Sequence, residues 1–280
     1  MSVPKGDLHA HPHTFRERRL VDLPQAWSVT RRAYPWSYFV GTLMLGVFTV
    51  GLAYLGLAAI GGGRVAGDFV AATGSADYLG YITVGAAAFM FTTHGILWVA
   101  KALIQEQREG TLGALLVAPA SRLPYLLGFA AFAFTAIALE VAVLLVCAYA
   151  LGVRPAASGA AEAVAAVLAL GMAVFGMSTV LSALMITAGE AHITQNTVFL
   201  AIALLSGFTF PRQYLPGVFQ WLGELVPTTA AMDVIRGVFT TGGGLVPCRL
   251  AVALGLGLIY TVAGLLWLPR AERHAMERSY

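Results

Sequence analysis

Two ionisable side chains sit deep inside otherwise apolar runs. His94, beside Thr92 and Thr93, lies in the run 81–104, and Glu140 lies in the run 124–151. A charge at the centre of a lipid-embedded helix costs about 2.5–3.5 kcal/mol on insertion scales, so Glu140 needs a partner, a cavity or a proton. Two readings of Glu140 stay open: a polar residue lining a path through the membrane, or a structural hydrogen bond between helices. For His94 the simpler reading is a neutral, hydrogen-bonded packing histidine. A second polar group, Glu106, Arg108 and Glu109, stands between two apolar runs and ends in the turn Gly110-Thr111-Leu112. His9, His11 and His13 alternate near the start; three imidazoles can bind a metal, but no fourth ligand accompanies them. The triplets Gly61-Gly62-Gly63 and Gly242-Gly243-Gly244 are not followed by Lys-Ser/Thr, so neither is a phosphate-binding loop. No HExxH sequence and no nucleophile–base pair stands out, and nothing supports catalysis within this chain.

The elements that carry these residues are membrane spans. The chain has 280 residues, of which 58% are hydrophobic and 11% charged, with mean hydropathy +0.77. Soluble chains are about 25% charged, so this one lacks the polar surface to wrap a water-soluble core. Runs near the 20 residues needed to cross a bilayer occur at 37–60, 81–104, 124–151, 162–188, 193–210 and 250–268. The fifth is short, and the third and fourth are long enough to tilt. The predicted fold is an all-α polytopic membrane protein with six transmembrane helices. Residues 1–36 form a tail, 37–270 the membrane domain and 271–280 a second tail. Cys147 and Cys248 are too few and too far apart for a disulfide framework or a metal site, and read as small packing residues.

Charge sets the orientation. Lys5, Arg16, Arg18, Arg19, Arg31 and Arg32 precede the first run; Lys101, Arg108 and Arg122 flank the segment after the second; Arg270, Arg273 and Arg278 follow the last. The other side holds Arg64, Arg154, Arg212, Arg236 and Arg249. The positive-inside bias puts both termini in the cytoplasm. Scarce Lys with abundant Arg, Ala, Gly and Val points to a GC-rich bacterial genome, hence a bacterial inner membrane. Residues 22–34 read as an interfacial helix, with Asp22 as cap, Pro24 in its first turn, and Leu23, Trp27, Thr30 and Tyr34 at helical spacing. A plain linker is the alternative.

Residues 105–123 leave the second run highly charged. A short helix from Thr111 presents Leu112, Leu115 and Leu116 on one side and stops at Pro119. Such an amphipathic helix suits a groove on another protein, or else lies on lipid as a polar loop. Residues 211–247 are too apolar for a solvated loop and too broken by Pro for a span. They read as short re-entrant helices, with Tyr214 and Trp221 at the interface. Asp233 and Arg236, three apart, are placed to pair on one helix face. Gln195 and Asn196 are expected to bond across helices.

The run REGTLGALLVAPASR after the second span resembles the signature of type-2 ATP-binding-cassette (ABC) export permeases: a Glu-x-Gly-Thr-Leu-like stretch, a Leu-Leu pair, then Pro and a basic residue. The later segment is similar to a second signature of that family, in the same order: Gly207-Phe208-Thr209-Phe210-Pro211, Leu215-Pro216, Trp221-Leu222, Pro227-Thr228-Thr229 and Asp233 to Arg236. The resemblance implies that Glu106, Arg108, Glu109, Gly110, Thr111, Leu112 and Arg122 couple the chain to an ATPase subunit. It implies that Phe210, Pro211, Leu215, Pro216, Pro227, Asp233 and Arg236 shape the exit path; Glu140, His94 and Asn196 are added as path candidates. ATP and Mg would be bound by the partner ATPase, with no cofactor in this chain. The expected partners are an ABC ATPase, a second or homologous permease copy, and membrane lipids, with no nucleic acid. The expected function is export of an amphipathic or lipidic cargo. A lipid-linked polysaccharide exporter is the alternative within transport, and a multispan enzyme acting on lipid intermediates is the alternative outside it.

Overall fold

Runs of Ala, Leu, Val and Phe with few charges satisfy their backbone internally, and in lipid that requirement selects helices. A computed structural model of the chain describes residues 36–59, 65–108, 122–154, 158–188 and 191–277, and among these every regular element is helical. The order is α1 (Trp36–Ala59), α2 (Gly67–Thr73), α3 (Tyr78–Arg108), α4 (Arg122–Ala150), α5 (Ala160–Ala188), α6 (Ala191–Leu205), a 3-10 turn (Arg212–Tyr214), α7 (Gly217–Glu224), α8 (Pro227–Phe239) and α9 (Pro247–Glu277). The predicted interfacial helix at 22–34 and the His9, His11 and His13 group lie outside the described residues.

Among the described residues four helices are long and apolar enough to cross a membrane: Tyr78–Ala100, Leu126–Ala150, Ala160–Ala188 and Pro247–Ala271. They correspond to the second, third, fourth and sixth expected spans. The first run is helical over 24 residues, with its apolar stretch at Gly46–Ala59. The fifth departs from expectation. α6 has 15 residues, about 22 Å of helix against a hydrocarbon core of about 30 Å. It ends at Leu205 rather than Phe210, because Gly207 turns the chain at φ +63. α9 runs past the expected end at Leu268, through Pro269, to Glu277. The short α2 was not foreseen; it packs Phe69 edge-on against Tyr78 and Tyr81.

α3 is the central helix, buried along most of its length against α4, α5 and α8. α3 and α4 run antiparallel: Trp98 meets Phe132 near one end of the pair, and Ala86 and Ala87 share a cluster with Leu144 and Ala148 near the other. The near end is taken here as the one where α3 finishes and α4 begins. The far end is where α3 and α9 begin. α5 and α9 run parallel and meet through small residues. A Cβ on Gly257 would lie 3.0 Å from the Met172 carbonyl oxygen, and one on Gly264 would lie 2.6 Å from the Thr179 backbone carbon. With no hydrophobic drive between helices in lipid, such close backbone approach supplies the packing energy.

Candidate functional site

Two polar centres are built into this frame. The first lies at the far end, where α6 stops. Ser206 closes α6, and Gly207 and Phe208 turn away, leaving two carbonyls without helical donors. Arg236 of α8 supplies them: its Nη2 donates to Gly207 O and, at 3.2 Å, to Phe208 O. The same guanidinium lies over the Tyr81 ring, 3.9 Å from its centroid, a cation–π contact that fixes α8 to α3. Gly85 of α3 makes room for the Phe208 carbonyl; a Cβ there would lie 3.0 Å from the carbonyl carbon and closer still to the oxygen. Beside the break, the Ser206 and Thr228 hydroxyls are 2.7 Å apart, and Thr229 Oγ1 donates to Ser206 Oγ at 3.3 Å.

Four more charges form a closed ring next to this clamp. Arg212 donates to Glu224 at 3.0 Å and to Asp233 at 2.9 Å; Arg249 donates to Glu224 at 3.1 Å and stands 3.5 Å from Asp233. Signs alternate around the ring, so it is balanced, and it ties the 3-10 turn, α7, α8 and the start of α9 together. Burial pushes the Asp233 carboxyl above its usual value in spite of the two guanidiniums beside it. For the more exposed Glu224, burial acts upward but Arg212 and Arg249 outweigh it, and the carboxyl is held below the usual value of 4.5. Burial likewise lowers Arg236. The Tyr260 hydroxyl of α9 donates to Leu225 O at 3.1 Å. Tyr260 lies about 20 Å along α9 from Pro247, so the turn between α7 and α8 folds back alongside α9 as a helical hairpin.

The second centre lies midway along the bundle. His94 Nδ1 of α3 and Glu140 Oε2 of α4 are 2.9 Å apart, and both side chains are buried. Phe91 and Phe134 pack against each other close by, their ring centroids 5.2 Å apart. The arrangement matches the interhelical hydrogen bond that sequence reading left as one of two options for Glu140. It also gives His94 its partner.

The remaining site residues fall into three groups. Glu109, Gly110, Thr111 and Leu112 lie outside the described residues; Glu106 and Arg108 close α3 and Arg122 opens α4, but their side chains are likewise outside them. Pro211 and Pro227 are buried, Phe210 and Leu215 half-buried, and Pro216 exposed, all around the break and the hairpin of α7 and α8. Asn196 is exposed on α6 and joins neither centre, while Gln195 Oε1 is buried without a hydrogen-bond partner among the described residues, so the expected bonds across helices from this pair are not formed there.

Two corrections concern the charges. Asp233 and Arg236 do not pair with each other. Asp233 turns to Arg212 and Arg249, and Arg236 to the freed carbonyls and Tyr81, because α8 is packed on several sides and each residue meets a different neighbour. Sequence reading also missed Arg212, Glu224, Arg249 and Tyr81 as members of one centre. The available signal was the scarcity of charge itself: in a chain only 11% charged, five Arg, Asp and Glu residues between 212 and 249 are expensive unless they find one another. Among the described residues no group of three His, Cys, Asp or Glu is placed to hold a metal ion.

A family model described as ABC-2 type transporter matches residues 25–240, from before α1 to the end of α8, and both signature segments fall inside the match. No curated protein matches the sequence.

Proposed function

The chain belongs to the ABC-2 type transporter family, and from that premise we propose that it is an export permease that moves an amphipathic or lipidic cargo out of the cytoplasm or inner leaflet. As a member of that family it is the membrane component of an ABC transporter, and the family implies pairing with an ABC ATPase subunit. The observation that carries the reading is the extent of the match, which takes in both the segment at 105–123 and the broken, charge-tied hairpin after α6. In this proposal the ATPase docks on Glu106, Arg108, Glu109, Gly110, Thr111, Leu112 and Arg122 in the cytoplasm. Two permease copies, or this chain and a homologue, enclose the path, and the re-entrant hairpin forms its outer wall in a bacterial inner membrane. ATP and Mg stay with the partner.

An amphipathic cargo would find apolar surface on this chain to move along. Exposed apolar side chains run along α4 (Leu139, Val143, Val146) and α9 (Leu254, Leu258, Ile259), and α7 turns Val218 and Trp221 outward. A greasy solute can reach such surfaces from lipid without leaving an apolar phase. The test is reconstitution with the ABC ATPase, reading ATP-dependent movement of a fluorescent phospholipid probe and capture of the ATPase by the permease. Glu109→Ala and Leu112→Ala are expected to abolish capture. Probe movement at full rate without ATP would refute the proposal.

A further inference from the structure

α3 and α4 are the two helices joined by residues 109–121, the stretch on which the proposed function has the ATPase act. Their interface is mostly apolar: Phe91 against Phe134, Trp98 against Phe132, and a cluster that holds Val99 with Leu126 and Ala130. In lipid such contacts are held by van der Waals packing, each of them individually weak. The bond between His94 and Glu140 is different. It is directional, 2.9 Å long, and enclosed on both sides, so a slip of 1.5 Å along the axis with its 100° rotation breaks it and leaves a buried carboxyl or imidazole without this partner. Its position is also favourable. It lies about 21 Å along α3 from Arg108 and about 27 Å along α4 from Arg122, near the middle of both helices, where one fixed point best resists sliding.

Resting on the proposed function, we infer that the His94–Glu140 bond is a register lock that makes α3 and α4 one lever, so that displacement of their near ends by the ATPase is delivered to the far end. Ionisable groups at this depth are expected to answer one another, as these two do. The two residues are positioning residues: they touch no cargo and set how motion is passed on. The far-end centre is where that motion arrives, since Tyr81 and Gly85 of α3 bear on Arg236 and Phe208.

The test uses the full chain in complex with its ABC ATPase in lipid nanodiscs. Spin labels at Val146 on α4 and Val246 just before α9, both exposed and both at the far end, report their separation with and without ATP–vanadate trapping. The native pair is expected to give a nucleotide-dependent shift. His94→Leu/Glu140→Leu is expected to lose that shift while ATP hydrolysis continues. Glu140→Gln, which keeps a hydrogen bond and neutrality, and the exchange His94→Glu/Glu140→His are expected to retain it. A full shift in the double-leucine variant overturns the lock, and so does a parallel loss of hydrolysis and shift, which marks a role in folding alone. Failure to capture any ATPase overturns the proposed function instead. The lock is then judged on the chain by itself, where His94→Leu and Glu140→Leu must be non-additive in thermal unfolding, and additive effects overturn it.

Discussion

Replacing Gly85 by Ala puts a methyl group where α3 meets the break after α6. The new Cβ would lie 3.0 Å from the Phe208 carbonyl carbon, against about 3.5–4.0 Å for carbon atoms in contact. The neighbour is main chain, which cannot rotate away as a side-chain tip can, and its oxygen is closer still, so the carbonyl must retreat by at least about 1 Å. The Arg236 bond to Phe208 O, already 3.2 Å, then passes out of range. Overpacking typically costs about 1–3 kcal/mol, and a lost hydrogen bond to a charged donor about 1.5–3 kcal/mol. Together about 3 kcal/mol or more is at stake, roughly a 6–12 °C fall in Tm at about 2–4 °C per kcal/mol. The assay is thermal unfolding of the purified chain in nanodiscs, with Gly128→Ala and Gly255→Ala as controls, because a Cβ at either meets nothing within 4 Å. The controls are expected to melt at or slightly above the native temperature, since Ala is the better helix former. A Gly85→Ala protein that melts with its controls would refute the reasoning, for it would show that the break is not held against α3.

Gly264→Ala is expected to lower Tm by a comparable amount and to loosen α9 from α5, measured by cysteine cross-linking across that seam, because its Cβ would lie 2.6 Å from the Thr179 backbone carbon. Arg236→Lys keeps the charge but loses the planar stack on Tyr81 and the second carbonyl bond; a loss of about 2 kcal/mol in unfolding free energy is expected, where an unchanged value would show that charge alone suffices. Glu224 titrates below its ordinary value in the native chain, so its contribution is present above 4.5 and is lost as pH falls through the lower native value. Glu224→Gln should therefore flatten the acid side of the stability–pH curve, by well under ~1 kcal/mol because the side chain is 44% exposed. Asp233, raised by burial, works in the opposite sense: its contribution is present at low pH and fades as pH rises through its raised value, so Asp233→Asn should flatten the curve there.

The membrane-embedded helical class and four of the spans were legible in the sequence, because lipid leaves backbone polar groups no partner but their own helix, and apolar length alone then reports the element. The short helices after α6 were legible from the breaks between them: Pro211, Pro216 and Pro227 interrupt a stretch too apolar for water. Where α6 stops was not, since the run 193–210 stays apolar past Leu205 and the turn is made by Gly207 adopting positive φ against Arg236. Nor were the partnerships. His94 and Glu140 stood out singly as costly, but 46 residues separate them, and only the antiparallel packing of α3 on α4 brings imidazole and carboxyl into one bond. Asp233 and Arg236 show the converse, for helical spacing made them neighbours on paper while their surroundings drew them apart. Sequence determines which groups cannot be left alone in lipid, because that is a property of each residue and its solvent. Tertiary structure decides which group answers each one, because that depends on distances no local spacing contains.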